Sequence, residues 1–199
     1  KYSNPNFSKN QMFVLPKISA LFKFNNKWSS RIGGGLGYKI PTIFTEQTET
    51  NQYQNVLALN NVQAERSIGG TTDINFKTNL SDDFVFSINQ MFFATQISKP
   101  LILQNSGLNT FFINAEKPVI SNGFETNIKF IFKEDLKFFV GYTFTNAKAK
   151  YLTTNQFLPL LPKNKLNMAL IFEKENNFKL GLEGFFTDQQ FLYNGTQTP

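Results

Sequence analysis

The sequence predicts an all-β fold, about eight consecutive antiparallel strands of a transmembrane β-barrel, and three observations carry that prediction. Apolar and polar residues alternate with a period of two over most of the chain. Short polar turns and long connections follow each other in strict alternation. Phenylalanine is in excess, with 24 Phe among 199 residues against a single Trp, more than a small core needs.

Successive side chains of a strand point to opposite faces, so a period of two sorts residues between two environments. The first strand sets Ile18, Ala20, Phe22 and Phe24 against Lys17, Ser19 and Lys23. From Trp28 to Ile40 the even positions include Trp28, Ile32, Leu36, Tyr38 and Ile40. The odd ones are Ser29, Arg31, Gly33, Gly35, Gly37 and Lys39. The next strand, from about Arg66 to Leu80, opposes Ile68, Ile74, Phe76 and Leu80 to Ser67, Thr71, Asp73, Asn75, Lys77 and Asn79. Phe84–Ile97 keeps the period least well, because Val85, Met91, Phe93 and Ile97 fall on the polar side. Four further strands repeat the split, with apolar sets Ile120–Phe132, Phe138–Phe144, Leu166–Phe172 and Phe178–Phe186. Ile131, Phe139, Ile171 and Phe185 are exceptions within them.

The strand pairs are joined at Asn25-Asn26-Lys27, Ser81-Asp82-Asp83, Lys133-Glu134-Asp135 and Glu175-Asn176-Asn177. Between the pairs run Pro41–Ala64, Ser98–Pro118 and Lys150–Lys163. Compact soluble domains keep most loops short, whereas membrane barrels have short periplasmic turns and long extracellular loops. No sustained helical stripe occurs, and no apolar run approaches the ~20 residues of a membrane-spanning helix. A β-sandwich or lipocalin-like barrel also alternates, with its apolar face inward. The Phe excess, the turn asymmetry and glycines on the polar face, expected to leave room for something packed inside, favour the apolar face outward.

Composition excludes much. With no Cys and no His, the chain lacks disulfides, thiol nucleophiles, the usual general base and the commonest metal ligand. It is therefore read as no enzyme, with no cofactor and no metal site. The pair Glu46/Glu49 lacks supporting ligands for a metal. A net charge of +6 is spread along the chain without a basic run, which argues against nucleic acid. Gly33–Gly37 lacks the helix and Lys of a phosphate loop and reads as bare wall. Without a signal peptide or obvious start and stop features, the chain is expected to be a piece of something longer.

Several segments resemble the TonB-dependent outer-membrane receptors. Ser30–Glu46, SRIGGGLGYKIPTIFTE, is similar to that family's strand followed by a Pro-Thr step, here Pro41-Thr42. AERSIGGTTDIN (Ala64–Asn75) looks like the family's "PERS" segment, with Ala64 in place of the proline. In FINAEKPVISNGFETNIK (Phe112–Lys129), Asn114, Gly123 and Glu125 match. FVGYTFTNA (Phe139–Ala147) and LPLLPKNKLNMAL (Leu158–Leu170) complete the order. The flavour is that of ferric-siderophore, enterobactin-type receptors of Bacteroidota. The resemblance implies that residues 1–199 are part of a 22-stranded barrel in the outer membrane of a Gram-negative bacterium. It implies an N-terminal plug domain and last strands outside this chain, and energy supplied by TonB through the plug. Expected partners are that plug, TonB, a small ligand (an iron chelate first), membrane lipid and lipopolysaccharide. A passive or structural porin-like barrel and a soluble ligand-binding β-barrel stay open as alternatives.

On this reading Arg31, Glu65, Asp73, Lys77, Glu125 and Lys129, all on the polar parity, face the lumen and the plug. Wall-to-wall pairing or plain hydration is the bland reading of each. Glu46, Gln47, Glu49, Gln52 and Tyr53 in the longest loop, with Gln104 and Tyr151 in the others, are the candidate ligand contacts, since loops on a rigid scaffold carry recognition.

Overall fold

The computed structural model describes residues 2–4, 7–9, 12–45, 48–49, 52, 54–174, 177–192 and 196–198. In chain order its strands are β1 (Tyr2–Asn4), β2 (Phe7–Lys9), β3 (Lys17–Lys23), β4 (Trp28–Lys39), β5 (Glu65–Ser81) and β6 (Phe84–Ser98). They continue with β7 (Leu101–Ser106), β8 (Asn109–Asn114), β9 (Val119–Phe132), β10 (Leu136–Ala149), β11 (Asn164–Lys174) and β12 (Phe178–Thr187). Eight of them form one open sheet in the order β12-β11-β10-β9-β6-β5-β4-β3, antiparallel at every step. These are the eight strands expected from the alternation.

The short turns lie where the polar triplets stand. Asn25 Oδ1 accepts from the amides of Lys27 (2.8 Å) and Trp28 (2.9 Å), an Asx turn that reverses β3 into β4. Lys133 and Glu134 take φ of 49° and 59° between β9 and β10. Of the triplet Glu175-Asn176-Asn177, the first two lie outside the described residues.

Two hairpins were not expected. One is β1–β2. The other, β7–β8, occupies Ser98–Pro118, which the sequence had suggested was plain loop. Gly107, at φ +61°, supplies the left-handed conformation that a two-residue hairpin turn takes at its first position.

The sheet curls around its polar side. A single trough of about 1120 Å³ is lined by residues of all eight strands, from Leu21 and Lys23 of β3 to Glu183 and Phe185 of β12. Only the concave side of a curved sheet can touch every strand at once. The odd-numbered Ser29, Arg31, Asn75, Lys77, Asn127 and Lys129 line it, so the even-numbered, apolar parity is convex. That is the reverse of a soluble lipocalin-like barrel.

Aromatic contacts occupy the convex face in two groups. Near the short turns, Trp28 packs on Phe76 (4.6 Å), Phe86 on Phe130 (5.1 Å) and Phe130 on Phe138 (6.3 Å). Near the long loops, Phe124 meets Phe92 (6.3 Å), Tyr142 (5.8 Å) and Phe144 (5.6 Å). Phe124 and Phe130 are six residues apart on β9, about 20 Å along an extended strand. Ile88, Ile128 and Val140 lie in register between the groups. An apolar band closed by two aromatic girdles is the outward profile of a membrane barrel. Among the described residues no second layer covers it, only residues 12–15 lying against β4 and β5: Leu182 is 73% exposed and Ile68 57%. The buried apolar residues Val62, Ala64, Phe112, Ala115, Val119, Ala147 and Ala149 instead gather at the loop end.

The wall glycines do not leave the room expected of them. A Cβ on Gly35 would meet Lys17 Cγ at 2.7 Å and the Pro16 carbonyl at 2.9 Å, and one on Gly37 would meet Ser67 Oγ at 2.6 Å. The space is taken by neighbours in the wall itself.

Candidate functional site

The concave face is organised in cross-strand rows. One runs Lys23–Ser29–Asn75–Asn89–Asn127–Gly141–Asn167–Phe185. The row on its loop side runs Leu21–Arg31–Asp73–Met91–Glu125–Thr143–Lys165–Thr187. Four asparagines share the first row, which the strand-by-strand reading did not reveal because no two lie on one strand. Asn89 Nδ2 donates to Asn75 Oδ1 (2.7 Å) and Asn75 Nδ2 to Asp73 Oδ1 (2.6 Å). Asn127 Nδ2 donates to Glu125 Oε1 (2.6 Å).

The sequence-chosen charges fall on this face by register, but the carboxylates and cations are treated differently. Asp73 and Glu125 are held by the asparagines. Arg31 stands directly opposite Asp73, yet the ion pairs of the described residues include neither Arg31, Lys77 nor Lys129. Lys129 Nζ rests 5.1 Å from the centre of the Phe139 ring. Phe139, an exception to the alternation, thus covers a cation on the polar face. Met91, another, lies opposite Asp73 and Glu125, and Phe93 lies opposite Gly123. These three exceptions therefore have local causes, one beside a cation, one between two carboxylates and one facing a glycine.

Glu65 is placed apart from the others. Its Oε1 accepts the Leu101 amide at 2.6 Å, tying the loop end of β5 to the first residue of β7. It therefore anchors the external hairpin, a role its parity alone did not suggest.

At the loop end of the sheet, two long connections are joined to each other. The amide of Leu57 donates to the Thr110 carbonyl (2.8 Å) and that of Thr110 to the Asn55 carbonyl (2.9 Å), which adds the 55–57 segment to β8. Asn114 closes the base: its Oδ1 accepts the Gln63 amide (2.6 Å), and its Nδ2 donates to the carbonyls of Gln63 and Lys99, both at 2.9 Å. Lys99 Nζ completes the cluster on Gln63 Oε1 (2.6 Å). Asn114 was visible only as a motif match, because its two partner residues, Gln63 and Lys99, lie in different segments. Hydrogen bonds contribute about 0.5–1.5 kcal/mol each, so Asn114→Ala should loosen both loops together. Hydrogen exchange is expected to speed up across 55–63 and 99–114 while the β9 and β10 amides keep their protection.

The predicted loop contacts lie on three different segments of the chain. Glu46, Gln47 and Tyr53 lie outside the described residues. The Glu49 amide donates to the Thr45 carbonyl (2.9 Å) and the Gln52 amide to the Glu49 carbonyl (2.8 Å), a compact turn around the buried Thr48. Gln104 is exposed on β7, opposite Phe111. Tyr151 is half-buried just after β10. The sequence did not single out a cluster at the loop end of β10–β12: Phe157 and Phe191 stack in parallel at 5.2 Å, with Lys163 Nζ 3.9 Å from the Phe157 ring centre. The Lys163 cation is held over the Phe157 ring, and Asp188 lines the same cleft. Among the described residues no His/Cys/Asp/Glu group could hold a metal ion.

The family whose model is described as TonB-dependent receptor-like, beta-barrel, matches residues 1–199. Two solved structures share the fold. The FrpB iron transporter of Neisseria meningitidis (F3-3 variant) superposes with a TM-score of 0.62 at 16% identity, over 88% of this chain and 27% of that one. A mutant of the ferric enterobactin receptor PfeA of Pseudomonas aeruginosa gives 0.65 at 15% identity, over 93% and 29%. The chain thus spans less than a third of the length of either. No curated protein sequence matches it.

Proposed function

This chain belongs to the TonB-dependent receptor β-barrel family, and on that premise we propose that it forms part of the wall of an outer-membrane receptor for active uptake of a scarce ligand. A ferric siderophore is the first choice of cargo, because the two solved structures described above are each named for iron. The observation that carries the reading is the concave face, where Arg31, Lys77 and Lys129 stand outside every ion pair of the described residues. Toward the turns Glu173 pairs with Lys137 and Lys179 on this face, but farther up the wall Asp73 and Glu125 are held by asparagines while Arg31 and Lys77 carry no ion pair among the described residues. A plug domain with an acidic surface fits that arrangement, and such contacts can be made and released as TonB pulls. The joined loops and, separately, the Phe157–Phe191 stack both lie at the loop end of the sheet and are the surfaces offered to the ligand.

Growth under iron limitation tests this reading. A strain lacking the gene that encodes this chain should fail to grow on a ferric catecholate and regain growth with the gene restored. Uptake should stop when the proton-motive force is collapsed. Rescue by haem, cobalamin or an oligosaccharide alone would replace the cargo and keep active import. Uptake indifferent to the proton-motive force would make the protein a passive barrel.

A further inference from the structure

The convex parity of the eight sheet strands is almost free of charge. Its even-numbered positions carry Arg66, Lys148 and Lys174 and no carboxylate. Each of the three stands within two residues of a strand end. Lys174, at the turn end, is paired with Asp135 at 3.2 Å. Arg66 and Lys148, at the loop end, belong to no ion pair of the described residues.

Their position relative to the apolar band is definite. Leu36, Ile68, Gln96, Ile120 and Lys148 share one convex row. Tyr38, Arg66 and Ser98 form the next row toward the loops. Arg66 is thus two residues, about 7 Å, beyond the apolar Ile68, and three strand spacings, about 14 Å, separate β5 from β10. Outward cations at this level point at the headgroup layer.

The surface around Arg66 is shaped as well as charged. Residues 12–15 lie against the convex side of β4 and β5. Phe13 stacks on Tyr38 at 4.1 Å with planes 10° apart, and the Arg66 guanidinium lies 5.9 Å from the Phe13 ring centre. Beside it opens a groove of about 370 Å³ lined by Met12, Leu15, Leu36, Ile68 and Ser98, among others. An arginine presents a planar fork suited to phosphate oxygens, and the apolar groove next to it suits a hydrocarbon chain.

We propose that the convex surface at Arg66, with Lys148 as a second contact, binds a phosphorylated lipid of the membrane's outer leaflet. Charge complementarity and height select the occupant: an apolar chain below, a phosphate level with the guanidinium. The inference rests on the outer-membrane reading above.

The test uses the full receptor, extracted from membranes in mild detergent, with purified bisphosphorylated lipid A as the probe and native mass spectrometry as the readout. The wild type should retain bound lipid A, and a large excess of inorganic phosphate should not displace it. Arg66→Gln with Lys148→Gln should lower the bound fraction at least ten-fold. Arg66→Lys should lose only part of it, a comparison independent of how the double variant folds. Lys165→Gln, on the concave face, should bind as the wild type does. Equal binding by wild type and double variant, or full displacement by free phosphate, would overturn the site. Recovery of the protein in the aqueous fraction instead would overturn the membrane reading itself, and the site with it.

Discussion

Ile128→Arg is expected to lower the stability of the barrel by ~2–4 kcal/mol, while Asn127→Arg, one residue earlier, should change it by no more than about 1 kcal/mol. Ile128 sits mid-band on the convex face, between Ile88 and Val140. A guanidinium there has only lipid chains around it, far from either girdle. Asn127 lies on the concave face between Asn89 and Gly141, with the Glu125 carboxylate already in reach of its side chain. An arginine in its place meets water and an anion. Urea unfolding of the receptor in lipid vesicles, followed by the mobility shift between folded and heated forms, measures both.

Gly123→Val should be as damaging, for a steric reason. A Cβ at Gly123 would collide with the Phe144 carbonyl oxygen and come within 2.7 Å of Phe93 Cζ. A flexible ring can swing aside, but the Phe144 carbonyl is main chain in a paired strand. Overpacking in a close-fitted site costs about 1–3 kcal/mol, and displacing the β9–β10 ladder puts this substitution at the upper end. The diagnostic is the double variant Phe93→Ala with Gly123→Val. It should recover little, because removing the ring leaves the backbone collision in place. Full recovery would show that the ring alone sets the limit.

The eight sheet strands were legible because a wall with two unlike sides imposes a two-residue period, and β3, β4 and β9 obey it almost throughout. Strand β6 blurs it for a reason seen only across strands: Phe93 faces the bare Gly123 and Met91 sits between two carboxylates. The β7–β8 hairpin was hidden because LILQNS and NTFFIN carry apolar residues in runs without alternation. The direction of curvature, and with it the inside of the wall, is a property of the whole sheet and of no single strand. The same holds for the site. Parity placed Arg31, Asp73 and Lys129 on one face, but the asparagine row, the Asn114 clamp and the Arg66–Phe13–Tyr38 cluster join residues distant in sequence. Glu65 shows the limit of parity most clearly, since its partner is a main-chain amide 36 residues away.

No cysteine lies within residues 1–199, so in a receptor freed of any other cysteine the central claim, that the even-numbered face meets lipid and the odd-numbered face the barrel interior, can be measured residue by residue. Single cysteines introduced in turn from Phe124 to Ile131 of β9 can carry a nitroxide in the membrane-embedded receptor. Its collision rates with lipid-dissolved oxygen and with a water-soluble nickel chelate then report the surroundings. Labels at 124, 126, 128 and 130 should collide with oxygen far more than those at 125, 127, 129 and 131. Opposite phase, or no two-residue alternation, would contradict the account.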